Sequence, residues 1–148
     1  MLEALYILLA DDSDDDAFFA RRCFAAAGQA FEIRRCSNGA ELIRALESCG
    51  SDLPRAVVLD LKMPFMDGFE TLQWIRGQPS LRTLPVVVLS SSSLQEDQDR
   101  ARALGASEYL VKPSTLHQLE RMIKDLLSRL SQSSIDPTAL PSSPQARS

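Results

Sequence analysis

The sequence predicts an α/β domain in which helices cover both faces of a parallel five-stranded sheet. Short apolar runs alternate along the chain with longer segments of helical periodicity. Two of these runs, VVLDL and VVVL, are continuously apolar, which is typical of strands buried on both faces of a parallel sheet. Regular alternation of strands and helices therefore indicates a doubly wound fold with five strands and five helices.

The strands are predicted from runs of leucine and β-branched residues. In chain order they cover residues 5–10, 31–36, 56–60, 86–90 and 108–111. Each run has the length of an ordinary strand, and each is followed by polar or turn-forming residues.

Helical segments fill the gaps, and glycine follows each of the first four. The predicted helices cover residues 14–27, 38–49, 69–76, 94–104 and 114 to about 130. In the first helix one stripe is expected to face the core, formed by Phe19, Ala20, Cys23, Phe24 and Ala27.

The domain is expected to cover residues 1–130, followed by a flexible tail at 131–148. Serine and proline fill nine of the eighteen tail positions, so the tail has little apolar surface to bury.

Composition argues against several functional classes. The net charge is −4 and no basic cluster is present, so no nucleic-acid partner is expected. The three cysteines are widely spaced and predict neither disulfides nor a zinc site. The sequence shows no leader-like segment and no long apolar run, so we expect a cytoplasmic protein without a membrane partner.

Polar residues follow four of the five strands at their carboxyl ends. Asp11 and Asp12 come after the first strand, Asp60 ends the third, Ser90 ends the fourth and Lys112 follows the fifth. In a doubly wound sheet these ends share one edge, where ligands bind. Three neighbouring carboxylates need a counter-cation, and hard oxygen ligands favour Mg²⁺.

The next three aspartates, Asp14, Asp15 and Asp16, fall in the first turn of the first helix. Acidic side chains there complement the helix dipole and can cap the helix. We therefore predict a capping and solubilising role for them, outside the site.

Four motifs resemble the receiver domain of bacterial two-component response regulators. They are DD after the first strand, VVLDLKMPFMDG, VVVLSSS and EYLVKP. The resemblance extends over residues 5 to about 128 and implies the flavodoxin-like receiver fold. The opening DDSDDD and the form VVVLSSS look most like small single-domain regulators paired with phytochrome histidine kinases.

The resemblance implies a role for each residue at the strand ends. Asp60 would accept a phosphoryl group from a sensor histidine kinase. Asp12 and Asp60 would bind Mg²⁺ directly together with the backbone carbonyl of Lys62, while Asp11 would act mainly through a water molecule. Lys112 would contact a phosphoryl oxygen.

The resemblance also implies a conformational switch. Ser90 would hydrogen-bond the phosphoryl group, and Tyr109 would then turn inward. Receiver domains usually join the residues equivalent to Lys112 and Pro113 through a cis peptide bond, which an X–Pro bond can adopt. The changed surface would signal to a downstream protein, a phosphotransfer partner or a second copy in a homodimer.

Two other functions do not fit these residues. A haloacid-dehalogenase phosphatase needs an acid two residues after its aspartate, where this chain has Lys62. An EF-hand starting at Asp12 would need glycine and glutamate where Ala17 and Cys23 stand. The remaining alternative is a phosphorylation-independent interaction module on a receiver fold. Beyond its own phosphorylation and dephosphorylation, no enzymatic activity is expected.

Aromatic residues outside the site allow two interpretations. Phe18, Phe65, Phe69 and Trp74 could pack on the core, or some of them could form an exposed docking patch beside Asp60.

Overall fold

A parallel five-stranded sheet in the order β2-β1-β3-β4-β5 organises the fold. The computed structural model describes residues 5–27 and 31–133. The strands are β1 (Tyr6–Ala10), β2 (Glu32–Cys36), β3 (Ala56–Leu59), β4 (Val86–Ser90) and β5 (Glu108–Val111). The helices are α1 (Asp14–Ala26), α2 (Gly39–Ser48), α3 (Gly68–Arg76), α4 (Gln95–Ala103) and α5 (Leu116–Ser133). The predicted fold class is confirmed, and a short 3-10 turn at Pro79–Leu81 was not predicted.

The last helix continues beyond the predicted end of the domain. Helix α5 reaches Ser133, three residues past the boundary expected at residue 130. The remainder of the predicted tail, residues 134–148, lies outside the described residues. Within the described ranges, no helix combines the length and apolarity that a membrane span requires.

The two faces of the sheet bury separate apolar clusters. On one face, Leu8 and Leu59 of the sheet pack in a cluster with Leu72 of α3. On the other face, Ile7 packs in a cluster with Phe24 of α1 and further residues of α5. Alternate residues of β1 therefore enter opposite clusters, as the two-residue period of a strand requires.

The predicted stripe of α1 is correct except at Phe19. Ala20, Cys23 and Phe24 are buried, but Phe19 is 41% exposed. The Phe19 ring contacts the ring of Phe18 edge-on, with centroids 5.5 Å apart. The helix buries Ala17 in place of Phe19. As a result, the small side chain of Ala17 packs against the sheet, and the larger ring of Phe19 is partly exposed to solvent.

The four aromatic residues considered for a docking patch divide between the core and the surface. Phe69 is buried, and Trp74 is half-buried against the cluster beneath α3. Phe65 and Phe18 are exposed by 90% and 55%. The packed interpretation is therefore correct for Phe69 and Trp74 and wrong for Phe65 and Phe18, and the docking patch stays a prediction.

Close contact between the start of α3 and the end of β3 fixes the position of Asp60. Helix α3 begins with a capping box formed by Asp67 and Glu70. The Gly68 amide donates to the carbonyl of Leu61 at 2.9 Å. A Cβ atom on Gly68 would lie 2.5 Å from the backbone oxygen of Asp60. Only glycine allows the helix this near to the strand.

We expect Gly68→Ala to lower the free energy of unfolding by about 2 kcal/mol or more, because backbone atoms must move to admit the methyl group. Urea denaturation measures the change. Gly77→Ala is the matched control, since its Cβ would lie an ordinary 3.4 Å from the nearest atom. Equal stability of the two variants would contradict the close-contact argument.

Candidate functional site

The carboxyl edge of the sheet brings the predicted polar residues together. The amide of Asp60 donates to the carbonyl of Ala10 at 3.0 Å, which places Asp60 beside the end of β1. The amide of Lys112 donates to the carbonyl of Ser90 at 2.8 Å, which aligns the ends of β4 and β5. The hydrogen bonding of the sheet therefore continues into the site. It fixes the backbone positions from which the side chains of Asp60 and Lys112 extend.

Three carboxylates form an acidic pocket at this edge. Oxygen atoms of Asp11, Asp12 and Asp60 all lie within 4.8 Å of one another. Asp11 and Asp60 are buried, whereas Asp12 is exposed. Three hard oxygen donors this close, one of them open to solvent, suit a divalent cation that keeps part of its water shell. The predicted proximity is correct.

Lys62 lies next to this pocket. Its backbone amide is 3.3 Å from Oδ1 of Asp60, a long hydrogen bond, and its side chain is exposed. The ligand role of its carbonyl stays a prediction.

One ammonium group contacts three carboxylates at the site. Nζ of Lys112 lies 2.8 Å from Asp16, 3.0 Å from Asp11 and 3.2 Å from Asp60. Burial by itself would lower the pKa of Lys112, but the hydrogen bond to Asp16 and the charges of Asp60 and Asp11 outweigh it. The pKa of Lys112 is therefore raised, and the side chain is positively charged at neutral pH.

Asp16 belongs to the site, contrary to the predicted capping role. Its carboxylate makes the shortest of the three contacts to Lys112. The cap of α1 is instead Ser13, whose hydroxyl accepts the amide of Asp16. The sequence holds no clear signal for this placement, since Asp12 precedes the N-cap Ser13 and the helical period does not relate it to Asp16. Asp14 instead forms an exposed ion pair with Arg35 at 2.7 Å.

Asp11 is the most deeply buried acid of the pocket. Burial raises its pKa, while the amide of Ser13 at 2.9 Å and the ammonium of Lys112 act in the opposite direction. Two nitrogens of Arg35 donate to the backbone carbonyl of Asp11. These contacts hold the end of β1 in place and partly compensate the charge that is buried there.

The predicted switch residues meet at a third residue, Ser92. The amide of Ser92 donates to Oγ of buried Ser90 at 3.2 Å, and the hydroxyl of Tyr109 donates to the carbonyl of Ser92 at 2.9 Å. Ser92 also donates its own hydroxyl to Asp97 of α4 at 2.6 Å. Sequence reasoning missed Ser92 and Asp97, because their pairing depends on how the β4–α4 loop folds.

Two features differ from what the family resemblance implied. Tyr109 already lies inward, 8% exposed, so the expected outward starting position is wrong in this structure. The cause is the buried Ser92 carbonyl, which gives the phenol a partner inside the protein. The peptide bond between Lys112 and Pro113 is trans, not cis.

Comparison with known proteins identifies the family of this fold and site. The response regulator receiver domain family matches residues 7–124, and the chain belongs to that family. Its members include response regulators that histidine kinases phosphorylate on an aspartate. Relatives of single-domain size and phytochrome-associated regulators are among the matches.

Three of these relatives illustrate the similarity. The chain is 35% identical to the probable methanogenesis regulatory protein FilR2 of Methanothrix harundinacea, covering 81% of this chain and 79% of FilR2. It is 30% identical to the Mn²⁺-bound form of response regulator Rcp1, with a TM-score of 0.75 over 84% of this chain and 92% of Rcp1. It is 27% identical to the phosphorylated cyanobacterial phytochrome response regulator RcpA, with a TM-score of 0.79 over 95% of this chain and 100% of RcpA.

Other relatives are longer than this chain. It spans about half the length of the transcriptional regulators that it matches at 35–36% identity.

We expect Asp12→Ala to weaken Mg²⁺ binding at least about tenfold, because the pocket loses its solvent-facing carboxylate. Isothermal titration calorimetry measures the affinity. The fold should keep its stability, since Asp12 is exposed. Asp15→Ala removes a nearby exposed acid as the control and should leave the affinity within about twofold. Similar losses in both variants would show that net charge alone drives binding.

Proposed function

We propose that this protein is a phosphorylation-controlled switch in which Asp60 accepts a phosphoryl group from a sensor histidine kinase. The observation that supports this most is the setting of the Asp60 carboxylate. It lies 3.2 Å from the Lys112 ammonium and within 4.8 Å of two further carboxylates. That combination supports a site at which a nucleophile, a positive charge and a bound cation act together.

The residues fit the proposed cation. Asp12, Asp60 and the carbonyl of Lys62 would hold Mg²⁺ directly, and Asp11 would hold one of its water molecules. When bound, the cation neutralises charge on the acids and on the transferred group.

The transfer step itself needs mainly positioning. An oxygen of Asp60 attacks the phosphorus of a phosphohistidine, the phosphorus–nitrogen bond breaks, and the leaving imidazole keeps the electron pair and takes up a proton. Lys112 contacts one phosphoryl oxygen and Ser90 hydrogen-bonds another. The reacting group is thereby oriented and its charge is compensated, which is what phosphoryl transfer requires.

The response would pass through Ser92. A phosphoryl group that draws in Ser90 changes the hydrogen bond between Ser90 and the Ser92 amide. Ser92 is also bonded to Tyr109 and to Asp97 of α4. A two-state shift of this loop would alter the surface of α4, β5 and α5, where we infer that a downstream protein, a phosphotransfer partner or a second copy binds. The similarity to phytochrome response regulators supports a phytochrome-type kinase as the phosphodonor.

We expect Asp60→Asn to abolish Mg²⁺-dependent phosphorylation by phosphoramidate, because the amide is not a nucleophile for phosphorus. Intact-protein mass spectrometry detects the phosphoryl adduct, and Asp15→Asn is the control that should still be labelled. Labelling of Asp60→Asn would mean that the acceptor is misassigned. If wild type takes up no phosphoryl group from either phosphoramidate or a histidine kinase, the phosphorylation-independent interaction module is supported instead.

We expect Lys112→Ala to be phosphorylated but to lose most of the conformational response, since no ammonium then ties β5 to the phosphoryl group. The measurement is the change in backbone amide chemical shifts of residues 90–97 on phosphorylation. Shift changes as large as those of wild type would contradict the coupling role of Lys112.

A further inference from the structure

We propose that Asp16 is a positioning residue that restrains Lys112 and thereby slows phosphorylation of Asp60. This inference rests on the proposed function, because it concerns the same ammonium and the same acceptor.

Asp16 is the strongest geometric partner of Lys112. An ammonium group has three N–H donors, and in this structure they are divided among Asp16, Asp11 and Asp60. The contact to Asp16 is the shortest of them, at 2.8 Å. A donor that bonds Asp16 is not available to a phosphoryl oxygen.

Asp16 also differs from Asp11 and Asp60 in its distance from the cation pocket. The acids whose oxygens cluster closely enough to share a cation are Asp11, Asp12 and Asp60, and Asp16 is outside that group. A bound cation would therefore weaken the attraction of Asp11 and Asp60 for the Lys112 ammonium. It would leave the attraction of Asp16 for that ammonium unchanged. In the cation-loaded protein, Asp16 is the remaining competitor of the phosphoryl group for the ammonium.

The backbone of Asp16 is held in place by a hydrogen bond, whereas its side chain is exposed to solvent. Ser13 accepts the Asp16 amide at 3.1 Å, which sets the first turn of α1. The Asp16 side chain is 49% exposed, against 5% for Asp11 and 11% for Asp60. Releasing Lys112 from Asp16 thus returns a carboxylate to water without burying an unpaired charge. Asp16 can therefore restrain Lys112 until the phosphoryl group replaces it as the partner of the ammonium.

The test compares Asp16→Asn with Asp15→Asn in full-length protein. Asparagine keeps the shape of Asp16 and its backbone cap, but loses the charge that holds Lys112. Phosphorylation of Asp16→Asn by phosphoramidate with saturating Mg²⁺ should be about two- to fivefold faster than that of wild type, the range set by a half-exposed ion pair. Asp15→Asn removes the same charge one residue earlier, and its rate should stay close to that of wild type. A rate for Asp16→Asn that is unchanged, slower, or matched by Asp15→Asn would overturn the proposal.

Two further measurements separate contact from general charge. In a Lys112→Ala background, Asp16→Asn should no longer accelerate phosphorylation, whereas acceleration that persists there would show that Asp16 acts without Lys112. Asp16→Glu can still reach Lys112, so its rate should return toward that of wild type. Failure of Asp16→Glu to do so would also count against the restraint.

A spectroscopic measurement does not depend on phosphorylation at all. In metal-free protein, the NMR signals of the Lys112 side chain should shift in Asp16→Asn and stay in place in Asp15→Asn. If wild type is never phosphorylated but these signals shift, the proposed function fails while the contact stands. If they do not shift, the restraint itself is wrong.

Discussion

One half-buried ammonium, that of Lys112, compensates much of the negative charge at the carboxyl edge of the sheet. Asp11 and Asp60 are both nearly removed from water, and a buried carboxylate without a partner costs several kcal/mol. Lys112 contacts both of them from the end of β5. The sheet order brings β1 and β3 side by side and sets β5 two strands away from β3, so the long lysine side chain is what joins the far strand to the acidic pair.

The positive charge of Lys112 does not balance all the carboxylates, so a net negative charge remains at this edge of the sheet. The ammonium contacts Asp11, Asp16 and Asp60, and Asp12 adds a fourth carboxylate to the edge of the sheet. The residual negative charge favours a divalent cation in the acidic pocket, while Lys112 keeps the two buried acids tolerable without one. In the proposed function, the same lysine also contacts the incoming phosphoryl group. In that proposal, the division of its contacts, above all the contact to Asp16, is what makes the rate of phosphorylation depend on this ammonium.

The proposed conformational response depends on hydrogen bonds to one loop residue, Ser92. Ser92 is hydrogen-bonded to Ser90 at the end of β4, to Tyr109 of β5 and to Asp97 of α4. Buried polar groups bonded in series are costly to break singly, so a movement of Ser90 changes the partners of the whole set. In this structure all three hydrogen bonds of Ser92 to these residues are present, and the Tyr109 side chain is buried.

The sequence by itself determined the strands, the helices and most of the acidic pocket. Continuous apolar runs define buried parallel strands, and parallel strands must end at the same edge, so Asp11, Asp60 and Lys112 converge without knowledge of any packing detail. Only the tertiary structure decided the roles of Asp16, Ser92 and Phe19. An acid in the first turn of a helix is explained locally by the helix dipole, and a serine after a strand by the turn. Which way those side chains point follows from the rotation of α1 and the course of the β4–α4 loop, and both are set by packing between elements distant in sequence.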